Sequence, residues 1–211
     1  MKNFLVQIPI GGGKSLEGNL TVPDKAKGLV IFAHGSSSSR LSPRNVFVAE
    51  ELNKADIATL LFDLLTEEED SIYQTRFNID LLTERLLTAT DWIQQQESTK
   101  RFFIGYFGAS TGAASALIAA ANIGTDIKAV VSRGGRPDLA GKFLVNVESP
   151  TLLIVGGNDH EVIELNRAAY KKIPATKKLE IIPGATHLFE ETGTLKEVAK
   201  LAAVWFKKYL H

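Results

Sequence analysis

A serine held between glycines, at the junction of two apolar runs of different character, is the first feature with chemical content. Residues 108–112 read Gly-Ala-Ser-Thr-Gly, after RFFIGYF (101–107) and overlapping TGAASALIAAAN (111–122). A G-x-S-x-G set between a strand and a helix makes a turn so sharp that the serine hydroxyl stands clear of the backbone. Flanking glycines keep Cβ atoms out of that crowded turn. The helix behind it presents its positive end and the Thr111 N–H to a charge developing on a substrate oxygen. The implied chemistry is attack on an acyl carbon by Ser110, provided that a neighbouring base takes the hydroxyl proton.

Histidine is the side chain that titrates in the useful range, and the chain has four, at positions 34, 160, 187 and 211. His187 lies in PGATHL (183–188), between the last expected strand and the final helix. Loops at the carboxyl ends of parallel strands are where such sheets place functional groups. His211 ends the chain, His160 opens a helix, and His34 follows a strand directly, where its ring would brace the loop. His187 is therefore the expected base. The expected third partner is a carboxylate that orients the imidazole. Asp159 follows TLLIVGGN at the carboxyl end of a strand, whereas Asp126 precedes a strand; Asp138 and Glu161 are the alternatives. A second oxyanion donor beside Thr111 is expected from the Ser36 N–H, in the turn His34-Gly35-Ser36.

Arg40, Arg133 and Arg136 each lie beyond the carboxyl end of an expected strand. A guanidinium grips carboxylates bidentately, so these three are candidate contacts for a substrate bearing an acid group. The competing expectation is structural ion pairing, with Asp138 or the acidic run 67–70. Two other features are set aside. Gly13-Lys14-Ser15 resembles the end of a phosphate-binding loop, but Ile8 stands where that motif needs glycine, and a strand-like run follows. A hairpin turn is expected there. Glu67 to Asp70 lacks the alternating spacing of a calcium loop and reads as a solvated loop.

These groups need a frame to hold them. GLVIFA (28–33), IATLLFDLL (57–65), RFFIGYF, IKAVVS (127–132), TLLIVG (151–156) and KLEIIP (178–183) read as buried strands. Residues 4–10 and 16–22 read as a hairpin around GGGKS. Helices are expected from Ser42-Pro43 to about Ala55, over 78–96, 111–122 and 160–172, and over 194–210 with a capping box of Thr194 and Glu197. Strands alternating with helices imply a mostly parallel sheet of about seven or eight strands, covered on both faces. With 211 residues and no linker or repeat, one α/β domain spanning residues 1–211 is expected. The segments 65–77 and 138–147 are too short for a full cap, so a fairly open pocket and small to medium substrates are expected.

Composition removes other classes. The 24 basic and 24 acidic side chains cancel, which is not the electrostatic footprint of a nucleic-acid binder. With no cysteine there is no disulfide frame, thiolate metal site or thiol nucleophile. No metal or other cofactor is required by the chemistry. No continuous apolar run of membrane-spanning length and no signal-like start is present, so a cytoplasmic protein without membrane contact is expected, as monomer or homodimer.

The blocks HGSSSSR (34–40), GASTG (108–112), GGNDHEV (156–162) and GATHLFEE (184–191) resemble those of α/β-hydrolases, in the same order of nucleophile, acid and base. The compact, cap-poor layout is similar to the dienelactone hydrolase-like group. With SRGGRPDL (132–139), the blocks also resemble small bacterial hydrolases sometimes fused to a phosphoribosyltransferase, of which no portion is evident in this sequence. Dienelactone hydrolases proper use a cysteine nucleophile, whereas this chain has Ser110 and no cysteine. The resemblance thus implies a serine esterase acting on small-molecule carboxylic esters. Lactone or thioester hydrolysis with the same residues is the alternative, and a non-catalytic ligand-binding relative is the alternative of another class.

Overall fold

The computed structural model describes all 211 residues. Eight strands form one sheet: β1 (Lys2–Gly11), β2 (Lys14–Val22), β3 (Gly28–Ala33), β4 (Ala58–Phe62), β5 (Phe103–Ala109), β6 (Ile127–Arg133), β7 (Thr151–Gly156) and β8 (Lys177–Ile182). Their spatial order is β1-β2-β4-β3-β5-β6-β7-β8. β1 and β2 are the expected hairpin, and β2 joins β4 antiparallel; every pairing beyond is parallel. Every residue of β3, β4 and β7 is buried, which is why those segments read as unbroken apolar runs. Gly11, Gly12 and Gly13 all have positive φ in the hairpin turn, which accounts for the glycines ahead of Lys14.

The helices are α1 (Pro43–Lys54), α2 (Glu67–Asp70), α3 (Ile79–Gln95), α4 (Thr111–Ile123), α5 (His160–Lys172) and α6 (Thr194–Tyr209). α3 and α4 pack on one face, in an apolar layer that includes Leu86, Leu117 and Tyr106. α1 and α6 pack on the other, around Val48, Phe107 and Phe206. Parallel pairing puts the carboxyl ends of β3, β5, β6 and β7 at one edge, so the loops after them meet.

Three local expectations are corrected. Glu67–Asp70 is a helical turn, not a plain loop: the Thr66 hydroxyl accepts the Glu69 N–H, and Glu69 accepts the Thr66 N–H. Thr194 and Glu197 form no capping box, because Gly193, at φ 85°, takes the cap position and the Thr194 hydroxyl donates back to the Glu191 carbonyl. Ser42 does precede α1, but its side chain makes no cap bond there. Segment 138–147 falls within 3₁₀ turns over Pro137–Asn146, kinked at Gly141.

Candidate active site

Ser110 sits at the β5–α4 junction with φ 50° and ψ −122°, a conformation that side chains rarely adopt. Such strain, of order 1–3 kcal/mol, persists only where the surroundings enforce it. Here the Ser110 N–H donates to the Arg133 carbonyl at 3.2 Å, while its own carbonyl accepts from Arg136 N–H at 3.0 Å. The motif glycines are sterically required. A Cβ on Gly108 would lie 2.4 Å from Ala113 Cα, and one on Gly112 would lie 2.2 Å from the Ala33 carbonyl oxygen. The nucleophile turn is thus wedged between β3 and the segment after β6.

The loops after β7 and β8 are stitched together. Asn158 donates its N–H to the Ala185 carbonyl at 2.9 Å and its side-chain amide to the Gly184 carbonyl at 3.0 Å. Phe189, with φ 57°, is buried in the apolar layer that holds Phe107 and Phe206, and Glu191 accepts the Thr186 N–H at 3.1 Å. The result is a fixed line of three groups. His187 Nδ1–H donates to Asp159 Oδ2 at 2.7 Å, leaving Nε2 to accept from the Ser110 hydroxyl at 3.4 Å. The second contact is longer than an ideal hydrogen bond. The structure therefore brings together the three residues expected from sequence. Asp138 instead pairs with Arg136.

The turn after β3 lies over the serine: a Cβ on Gly35 would come within 3.2 Å of Ser110 Cβ. His34 braces this turn, as expected. Its Nδ1–H donates to the Gly35 carbonyl at 2.9 Å and its Nε2 accepts the Leu64 N–H at 3.1 Å. Burial holds its pKa below the ordinary histidine value, so it stays the neutral imidazole that this pairing needs. Ser36 lines a cavity of about 240 Å³ together with Ser110 and His187. Thr111 opens α4, so its N–H lies beyond the helix's own ladder.

The three arginines separate. Arg40 is turned away, binding Asp63 through Nη1 at 2.6 Å and also reaching Glu17. Arg136 makes a bidentate pair with Asp138 at 2.9 and 2.8 Å. Both are thus engaged in the ion pairing that was the competing expectation for them. Arg133 alone of the three lines the Ser110 cavity. It is joined there by Arg44, which was not among the candidates expected from sequence; its place two residues after Ser42, at the start of α1, was the available signal. No group of three or more His, Cys, Asp or Glu side chains is placed to hold a metal ion.

Comparison with known proteins bears on the family and the fold. The model of the dienelactone hydrolase family matches residues 38–210. A crystal structure of a dienelactone hydrolase from Anabaena variabilis is 52% identical, with a TM-score of 0.96 over 100% of this chain and 99% of that one. Est1E from Butyrivibrio proteoclasticus shares the fold, with a TM-score of 0.82 at 20% identity over 97% of this chain and 98% of its own. A Mycobacterium tuberculosis protein carrying the provisional name phosphoribosyl transferase is 56% identical over 201 residues, which is 95% of this chain. The chain spans about half the length of that relative, 45%. With its sheet, its strained serine turn and its family match in agreement, the chain belongs to the dienelactone hydrolase family.

Proposed function

We propose that the protein is a serine hydrolase of carboxylic esters, with Ser110 as nucleophile, His187 as general base and Asp159 as the carboxylate that orients it. The observation that carries this reading is the continuous contact from Asp159 Oδ2 through the His187 ring to Ser110 Oγ. As Ser110 attacks the acyl carbon, its proton passes to His187 Nε2, and Asp159 stabilises the imidazolium that forms. The Ser36 and Thr111 N–H groups hold the developing oxyanion. The imidazolium then protonates the leaving alcohol, and His187 activates a water that releases the acyl group from Ser110. The family match and the 52% identical protein named as a dienelactone hydrolase support a hydrolase. The transferase name of the mycobacterial relative belongs to a chain about twice as long, and only the hydrolase chemistry is carried over.

A fluorophosphonate probe followed by intact-mass measurement tests the assignment. One adduct per chain is expected on the native protein and none on Ser110→Ala, with ester turnover falling at least about 10³-fold in that variant. A native protein that stays unlabelled while a known serine esterase reacts would remove the enzyme reading. An adduct that survives in Ser110→Ala would move the nucleophile elsewhere.

A further inference from the structure

Arg133 carries a charge that no protein group answers. It closes β6 in register with Ala109 and is 7% exposed, with Nε and Nη1 buried and without an acceptor. The contrast with other arginines of the chain is informative, since Arg40, Arg85 and Arg136 each reach a carboxylate within 3.0 Å. The charge felt by Arg133 has the same sign: burial, and after it the Arg44 guanidinium, push its pKa down to about 10. Arg44 also has a buried, unmatched Nε, and its Nη1 meets Glu190, a carboxylate that is 64% exposed and screened by water. An unpaired buried guanidinium is costly, and a second positive charge near it adds to that cost. The arrangement makes sense if an anion completes it.

Both arginines line the Ser110 cavity, as do Ser36, Ser37 and Ser38. Arg44 lies in the first turn of α1, at the positive end of that helix. Two guanidinium forks and three hydroxyls exceed what the two coplanar oxygens of a carboxylate can use. A phosphoryl group has three terminal oxygens in a tetrahedral array and up to two negative charges, which suits donors arriving from several directions.

We infer that Arg133, Arg44 and the hydroxyls of Ser36 to Ser38 form a subsite for a phosphoryl-type oxyanion, so that the ester cleaved at Ser110 is one carrying a phosphate group. The cleavage half of this statement rests on the hydrolase reading of Ser110; the anion binding does not. The phosphate is held and not transferred. The acyl carbon–oxygen bond breaks, water supplies the hydroxyl to the acid and the proton to the alcohol, and the phosphate ester bond is unchanged.

Titration calorimetry and thermal unfolding with inorganic phosphate, against acetate at matched ionic strength, test the subsite without requiring turnover. Phosphate is expected to bind native protein and Ser110→Ala alike, to raise their unfolding midpoints, and to bind at least tenfold more tightly than acetate. Its affinity is expected to fall at least tenfold in Arg133→Met and in the half-exposed Arg44→Gln, which keeps the test open if the buried substitution fails to fold. In parallel, acetyl esters of a phosphorylated alcohol should exceed their unphosphorylated counterparts in kcat/KM by tenfold or more. Absent phosphate binding, equal binding of acetate, or unchanged affinity in Arg44→Gln would overturn the subsite. Phosphate binding as described with no ester hydrolysed at all would leave the subsite standing and overturn the hydrolase reading instead.

Discussion

His34 has both ring nitrogens committed, one to the Gly35 carbonyl and one to the Leu64 N–H, so a second proton would cost it the latter contact. Its pKa is held down by burial, with the folded value below the ordinary 6.5. Between those two values the unfolded chain binds the extra proton and the folded chain does not. Stability contributed by this residue is therefore complete above the ordinary value and is lost as pH falls below it, by up to about 1.4 kcal/mol per unit. In urea unfolding between about pH 7.5 and 5, His34→Gln should show a shallower acid slope than the native chain, the other three histidines being common to both. Identical slopes would show that the His34 ring tolerates its proton. The meeting of Ser110, Asp159 and His187 was legible because each lies on a local pattern at a strand end. The isolation of Arg133 was not, because whether a charge finds a partner depends on where other elements leave their carboxylates. Arg40 and Arg136 occupy similar sequence positions and found Asp63 and Asp138.

Among the elements, two stretches share the pattern Thr-x-x-Glu, at Thr66–Glu69 and Thr194–Glu197, and only the first is a capping box. The motif is identical; the residue before it decides. Gly193 adopts a left-handed conformation and takes the cap position, so Thr194 falls inside α6. The presence and type of the strands and longer helices were otherwise legible, because burial on both faces of one sheet sets the buried runs and the helical spacing. Their ends were less so, since the run 57–65 is strand only over Ala58–Phe62 and β5 runs from Phe103 to Ala109. Turn α2 was read as loop, since four acidic residues in a row carry no apolar period. It is held by its cap and by Glu69 Oε1, which meets Arg85 at 2.9 Å. Burial raises the Glu69 pKa, but the Thr66 N–H and the Arg85 guanidinium outweigh it and leave the carboxyl below its ordinary 4.5. That stabilisation is complete above the ordinary value and is lost as pH falls through the lowered one. Glu69→Gln is accordingly expected to cost about 1–2 kcal/mol in urea unfolding at pH 7. The gap from the native chain should narrow below about pH 4. A gap that stays constant with pH would mean that packing, and not the carboxylate charge, holds the turn.

At the scale of the whole molecule, the sheet separates two large apolar layers, one of 29 buried residues under α3 and α4 and one of 21 under α1 and α6, with a small third group, Val155, Val162 and Ile163, at α5. The strands lie between the two large layers, and the site draws on both sides: Ser110 immediately precedes α4 on one, whereas Arg44 belongs to α1 on the other. If the chain folds as one domain, loosening either layer must loosen the sheet and with it the other layer. Each side carries its own reporter. Of the two tryptophans, Trp92 on α3 packs against the first layer and Trp205 on α6 lies in the second. Trp92→Phe leaves a chain whose fluorescence reports only the α6 side, and Trp205→Phe leaves one that reports only the α3 side. With each variant's circular dichroism as its own reference, fluorescence and backbone signals are expected to give coincident urea transitions in both. A chain of this length lies above the size at which such cooperativity can be taken for granted. A fluorescence transition displaced from the backbone signal in only one variant would show that the two layers unfold separately. The precise meeting of α4 and α1 groups at Ser110 would then have to be maintained by the loops alone.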